Sequence, residues 1–102
     1  MEKARTVEIK WRKAALFSLR TAYLHIQNDS LANAEKVRKD IFEAIYQAAI
    51  HPERHPVDKF KTDNQGDYRA FELHNYRISY RYTPTELRVL RIRHVKMRPK
   101  EY

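Results

Sequence analysis

Cysteine is absent from the 102-residue chain, and glycine occurs once, at Gly66. Without thiols there is no disulfide framework, thiol nucleophile, iron–sulfur cluster or cysteine-bound zinc. A lone glycine excludes Walker-type and dinucleotide-binding phosphate loops, which need several. Acidic residues are scarce: 13 Asp+Glu face 21 Lys+Arg, for a formal net charge of +8. Long apolar runs are missing too. No segment is suited to spanning a bilayer, and the opening Met-Glu-Lys-Ala-Arg-Thr-Val-Glu has no signal-peptide stretch. The length suits a single domain, and 42% hydrophobic with 12% aromatic residues suffices for one compact core. The expectation is a small, basic, cytoplasmic domain that needs no cofactor, metal or membrane.

The charge is unevenly placed. Residues 68–102 hold nine cations (Arg69, Arg77, Arg81, Arg88, Arg91, Arg93, Lys96, Arg98, Lys100) against Glu72, Glu86 and Glu101, hence +6 of the +8. Most of the nine are arginine, whose planar fork suits bidentate phosphate contacts. An acidic, phosphate-bearing partner follows from that placement.

Periodicity orders the elements. Thr6 to Trp11 alternates as a short strand, with Val7, Ile9 and Trp11 on one face. Lys13 to Gln27 reads as a helix with Leu16, Leu19, Tyr23 and Ile26 along its stripe. Ser30 caps a second helix carrying Leu31, Ala34, Val37, Ile41, Ile45 and Ala48, which Pro52 ends near Ile50. So short a turn between amphipathic helices predicts an antiparallel hairpin. The polar stretch from His51 to Asp67 reads as a loop. Strands at Tyr68–Leu73, Tyr76–Tyr82 and Leu87–Val95 then form a meander through tight turns. The fold class is therefore α+β, βααβββ: an antiparallel β-meander packed on a two-helix hairpin, with the first strand's place left open.

Taken in order, HPERHPVDKFK, GDYRAFELHNYRISYR, LRVLRIRH and KMRPKEY, following a helical hairpin, resemble the RelE/ParE superfamily of bacterial type II toxin–antitoxin toxins. The resemblance covers nearly the whole chain. It implies a toxin neutralised by a cognate antitoxin protein. RelE-like members cut mRNA on the ribosome, and ParE-like members inhibit DNA gyrase; an inactive relative that only binds an antitoxin is a further alternative.

RelE-like cleavage needs a base for the ribose 2′-hydroxyl, cations for the phosphate and an acid for the leaving oxygen. The resemblance assigns Lys59, Lys61, Arg69, Arg77, Lys96 and Tyr102 to that work, with Arg77 stabilising the phosphate. Phe71 stands where the nuclease pattern has a lysine, which leaves Lys59, Lys61, His94 or Glu72 as candidate bases. The ending Arg93-His94 is closer to the ParE-like pattern. Arg81, Arg91, Arg93 and Arg98 are the expected nucleic-acid contacts.

Simpler roles compete. Tyr80, Tyr82 and Ile78 alternate as a buried sheet face does, so core packing explains these tyrosines better than base stacking. Trp11 and Phe17 read as packing residues. His51 and His55 have metal-ligand spacing, but the prolines beside them break the helix that would align them. His94 alternates with Leu90 and Ile92 and reads as a structural histidine of the core face. Lys59 and Lys61 flank Phe60 and would share one side of an extended segment.

Overall fold

A computed structural model describes residues 7–98 and 100–102; Thr6, placed above in the first strand, lies outside the described residues. The elements run β1 (Glu8–Trp11), α1 (Lys13–Gln27), α2 (Leu31–Ile50), a 3-10 turn (Pro52–Arg54), β2 (Tyr68–Leu73), β3 (Tyr76–Tyr82) and β4 (Glu86–His94). One four-stranded sheet has the order β1-β4-β3-β2, with β1 parallel to β4 and the others antiparallel. The open question of the first strand is thus settled at the sheet edge. The α1–α2 hairpin packs on one face.

Local chemistry explains the boundaries. Ser30 accepts the Asn33 amide at 3.1 Å and so caps α2. His74 and Asn75 take φ of 52° and 68°, the left-handed pair of a two-residue hairpin turn. His74 also reaches Asp40 of α2 at 2.7 Å, tying that turn to the helical layer. Hydrogen bonds from His74 and Lys36 hold the Asp40 carboxyl below its ordinary pKa range.

The core lies between hairpin and sheet. Val37, Ile41, Ile45 and Ala48 of α2 meet Ile78, Tyr80, Leu87, Val89 and Ile92. Tyr80 is fully buried and donates its hydroxyl to the Pro52 carbonyl at 2.6 Å; burial pushes its pKa up to about 12. On α1 the buried stripe is Ala15, Leu19 and Ala22. Leu16, expected inside, is 46% exposed, and Phe17, expected to pack, is 72% exposed. Leu31 likewise lies outside the α2 stripe at 54% exposure. The buried face of α1 is thus built of two alanines around Leu19.

A bulge reconciles two parities in β4. Ser79 pairs with Arg91 but Tyr80 with Val89, so Leu90 is the extra residue. Leu87 and Val89 before it, and Ile92 after it, can all face the helices, while Arg88, Arg91 and Arg93 face away.

The burial difference predicts that Leu19→Ala costs about 2–4 kcal/mol in urea unfolding while Leu16→Ala costs less than about 1 kcal/mol. Equal losses would show that the α1 stripe has been misplaced.

Candidate functional site

The face of the sheet opposite the helices carries the candidate site. Its centre is an acid, Asp58, which no sequence signal singles out. Asp58 follows Val57, whose single antiparallel bridge to Arg69 lays this piece of loop along β2. The Asp58 amide donates to the Tyr68 carbonyl at 2.8 Å. With Val57 turned to the helix side, Asp58 turns to the basic face.

There the Asp58 side chain has no exposure. Oδ1 accepts from Arg77 at 2.9 Å and from the Phe60 amide at 3.0 Å; Oδ2 accepts from the Tyr102 hydroxyl at 2.6 Å. Burial pushes the Asp58 carboxyl up, but the hydrogen bonds from Tyr102, Arg77 and Phe60, together with the Arg77 charge, outweigh it. Its pKa lies below the ordinary carboxylate range. Tyr102 moves the other way: burial and its bond to Asp58 both raise the phenol. Arg77 Nε is buried without a hydrogen-bond partner among the described residues.

The residues after β4 fold back over this face. Arg91 donates to the Lys100 carbonyl at 2.9 Å, and Arg93 to that of Arg98 at 3.4 Å. The Tyr102 amide donates to Phe60 O at 3.0 Å, while the Thr62 amide and hydroxyl reach Tyr102 O at 2.8 and 2.9 Å. Arg91 lies over the Tyr102 ring at 4.4 Å. Tyr102, one of the residues the resemblance assigns to cleavage, clamps the returning chain.

The Arg91–Tyr102 stack divides the basic face into two hollows. One, of about 190 Å³, gathers Lys59, Glu72, Arg77, Arg91, Arg93 and His94 around Asp58 and Ser79. The other, of about 330 Å³, holds Lys61, Arg81 and Tyr102 with Arg12, Arg88 and Tyr68. Lys61 lies over the Tyr68 ring at 4.6 Å and Arg81 at 5.3 Å. Arg81 is paired with Asp67 at 2.7 Å, and Arg88 with Glu86 at 3.0 Å.

The expected constellation is only partly assembled. Lys59 and Lys61 line different hollows, because the Lys61 amide donates back to Asp58 O at 3.2 Å and makes the segment a turn, not an extended run. Arg69 pairs with Tyr80 across β2 and β3, which turns it to the helix side, away from Arg77. It donates to Gly66 O at 2.9 Å, His55 O at 2.9 Å and Glu53 O at 3.4 Å, bracing the loop. Gly66 supplies the turn there with φ of 97°. Lys96 and Arg98 are exposed and line neither hollow. Glu72 pairs with Arg77 at 3.4 Å. His94 stands opposite Tyr76, rings 5.1 Å apart, with Nδ1 accepting the Lys96 amide at 3.1 Å, and it also lines the first hollow. His55 stacks on Phe71 at 4.4 Å, and the described residues contain no group of His, Asp and Glu suited to a metal ion.

This arrangement presents cations at fixed positions around two hollows, with the most central arginine already paired and the Tyr102 phenol held against a carboxylate. No helix among the described residues is long and apolar enough to cross a membrane.

A family model described as the ParE toxin of type II toxin–antitoxin system, parDE, matches residues 9–99. Among solved structures, the chain is similar to one described as the chromosomal ParDE TA system from P. aeruginosa, with a TM-score of 0.68 at 20% identity. That match covers 87% of this chain and 96% of the other, and it supports the fold. Among curated proteins none matches.

Removing Asp58 removes the shared acceptor of three donors, and removing Arg77 leaves a buried carboxylate without its cation; each should cost about 3 kcal/mol. Because the Asp58 pKa is depressed on folding, its contribution is present above the unfolded value of about 4 and fades as pH falls through the folded value. Urea midpoints measured from pH 7 down to pH 2 should therefore drop more steeply in the wild type than in Asp58→Asn. Parallel curves would contradict the lock.

Proposed function

The chain belongs to the ParE toxin family of type II toxin–antitoxin systems, and on that footing we propose that it arrests growth as an inhibitor of DNA gyrase, binding through its basic face rather than cutting messenger RNA. The observation carrying this reading is the lock itself. Arg77 and Tyr102, two members of the nuclease set, are both bound to Asp58. Arg69, a third, faces the helices, and Lys96 stands apart. Phosphoryl chemistry needs its base, acid and charge stabiliser around one scissile bond, which this dispersal does not supply.

Binding asks less of the geometry. Lys59, Arg91 and Arg93 around one hollow and Lys61, Arg81 and Arg88 around the other are cations at the rim of half-open pockets. Such an array suits an acidic protein surface or a protein–DNA junction, where charge steers encounter and fixes register.

The antitoxin expected of a type II toxin is assigned to a neighbouring groove. Of about 560 Å³, it runs between α1 and the second half of β4, lined by Phe17, Ala22, Leu90 and Ile92, and meets the basic face at Arg91, Arg93 and His94. β1 pairs with β4 only from Glu86 to Val89, so the strand edge beyond Val89 is unpaired among the described residues. The exposed Phe17 and this edge suit an apolar segment carrying acids, which the net charge would attract.

Purified gyrase should lose supercoiling activity in the presence of the protein, while messages in a translation extract keep their 5′ ends intact. Arg93→Ala should raise the half-inhibitory concentration roughly tenfold. Codon-specific RNA cleavage with undisturbed supercoiling would replace this reading with the nuclease one, and harmless expression would leave only antitoxin binding. Phe17→Asp should weaken the antitoxin complex roughly tenfold or more and leave gyrase inhibition unchanged; unaltered antitoxin affinity would vacate the groove.

A further inference from the structure

The outer edge of β1 is open among the described residues, since β1 ends the sheet. Glu8 donates its amide to Thr85 O at 3.1 Å, and Arg12 to Val89 O at 3.0 Å. With Lys10 opposite Arg88 in the same parallel register, even-numbered residues turn their backbone groups inward to β4. Val7, Ile9 and Trp11 therefore turn theirs outward, and these are also the residues whose side chains pack against the core.

The order of residues along this edge is self-complementary. Read against itself in the antiparallel sense and centred on Ile9, Val7-Glu8-Ile9-Lys10-Trp11 sets Val7 opposite Trp11, Glu8 opposite Lys10 and Ile9 opposite Ile9. The outward backbone groups of Val7, Ile9 and Trp11 all fall at hydrogen-bonded positions. Glu8 and Lys10 fall at the non-hydrogen-bonded positions, where side chains approach most closely. Sliding the pairing by two residues in either direction sets Glu8 against Glu8 or Lys10 against Lys10. Charge thus selects a single register.

The geometry points to a second copy of this chain as the occupant: we propose that two molecules pair antiparallel through β1, about a two-fold axis normal to the sheet at Ile9. Isologous contacts of this kind require a self-complementary patch, and this edge has one in both backbone and charge. Glu8 is exposed and has no ion-pair partner among the described residues, so the partner's Lys10 completes it. Lys10 already lies 3.6 Å from Glu86 and would then bridge two carboxylates. Trp11 packs on Phe42 with ring centroids 5.4 Å apart, and Phe42 and Tyr46 of the same α2 stripe are 43% and 52% exposed. Phe42 borders the edge through Trp11, where a neighbouring helical layer would cover it.

Pairing joins two four-stranded sheets into one. The axis direction puts both helical hairpins on one side and both basic faces on the other. A dimer therefore presents a doubled, continuous cationic surface.

Sedimentation of the purified 102-residue chain across a range of concentrations tests the pairing. The wild type should self-associate reversibly, and Glu8→Lys and Lys10→Glu should each shift the midpoint at least about tenfold upward, since each sets like charges opposite one another twice. Mixing these two variants should restore association, because the lysine introduced in one would then face the glutamate introduced in the other. The Ile9 amide of the wild type should exchange with deuterium more slowly as concentration rises. A wild type that stays monomeric to millimolar concentration, or single variants that associate as tightly as the wild type, would overturn the proposal.

Discussion

A carboxylate with no exposure, shared by an arginine and a tyrosine, organises one whole face of this protein. Asp58 would be costly to bury alone, because an unpaired charge out of water shifts its pKa or unfolds its surroundings. Arg77, Tyr102 and the Phe60 amide satisfy it, and each donor belongs to a different segment: β3, the returning C-terminal residues and the loop before β2. The ion pair is thus also a three-way junction. Breaking it would release the loop and the chain beyond β4 together, and with them the carbonyls that engage Arg91 and Arg93.

That junction also shapes function. Cations that looked interchangeable along the strands have distinct conditions. Arg77 is neutralised, Arg91 and Arg93 are braced by main-chain carbonyls, and Lys59 stands at the rim. Fixed positive groups with low freedom suit recognition, because little ordering remains to be done on binding. On the proposed reading, the same fixity holds Arg77 and Tyr102 against Asp58 rather than at a ribose–phosphate link. The proposed antitoxin groove and the arginine face share Arg91, Arg93, His94 and Met97 at their border, so an antitoxin seated in the groove would cover part of that face.

Much of this architecture was legible from residue order. Ser30, Pro52 and the His74-Asn75 turn set boundaries that the structure repeats closely, since each acts through local chemistry. The side of Arg69 was legible too: a two-residue turn sets Leu73 opposite Tyr76, hence Arg69 opposite Tyr80, and that count places it toward the helices. The resemblance that groups Arg69 with Arg77 carries no such count. Asp58 carried no comparable signal, because its burial depends on one bridge between Val57 and Arg69 and on residues 44 positions away. Periodicity does not encode contacts of that range. The bulge at Leu90 hid in the same way, since apolar Leu87, Val89, Leu90 and Ile92 fit no single alternation.

The carboxyl carbon of Asp58, followed by NMR as pH is lowered in the folded range, tests the central claim most directly. A shared, buried, hydrogen-bonded carboxylate stays ionised below the usual midpoint of about 4, and Tyr102 shows no phenolate through pH 10. An Asp58 that titrates at the ordinary value or above it, with Tyr102 ionising near 10 as a free tyrosine does, would mean that the lock does not exist.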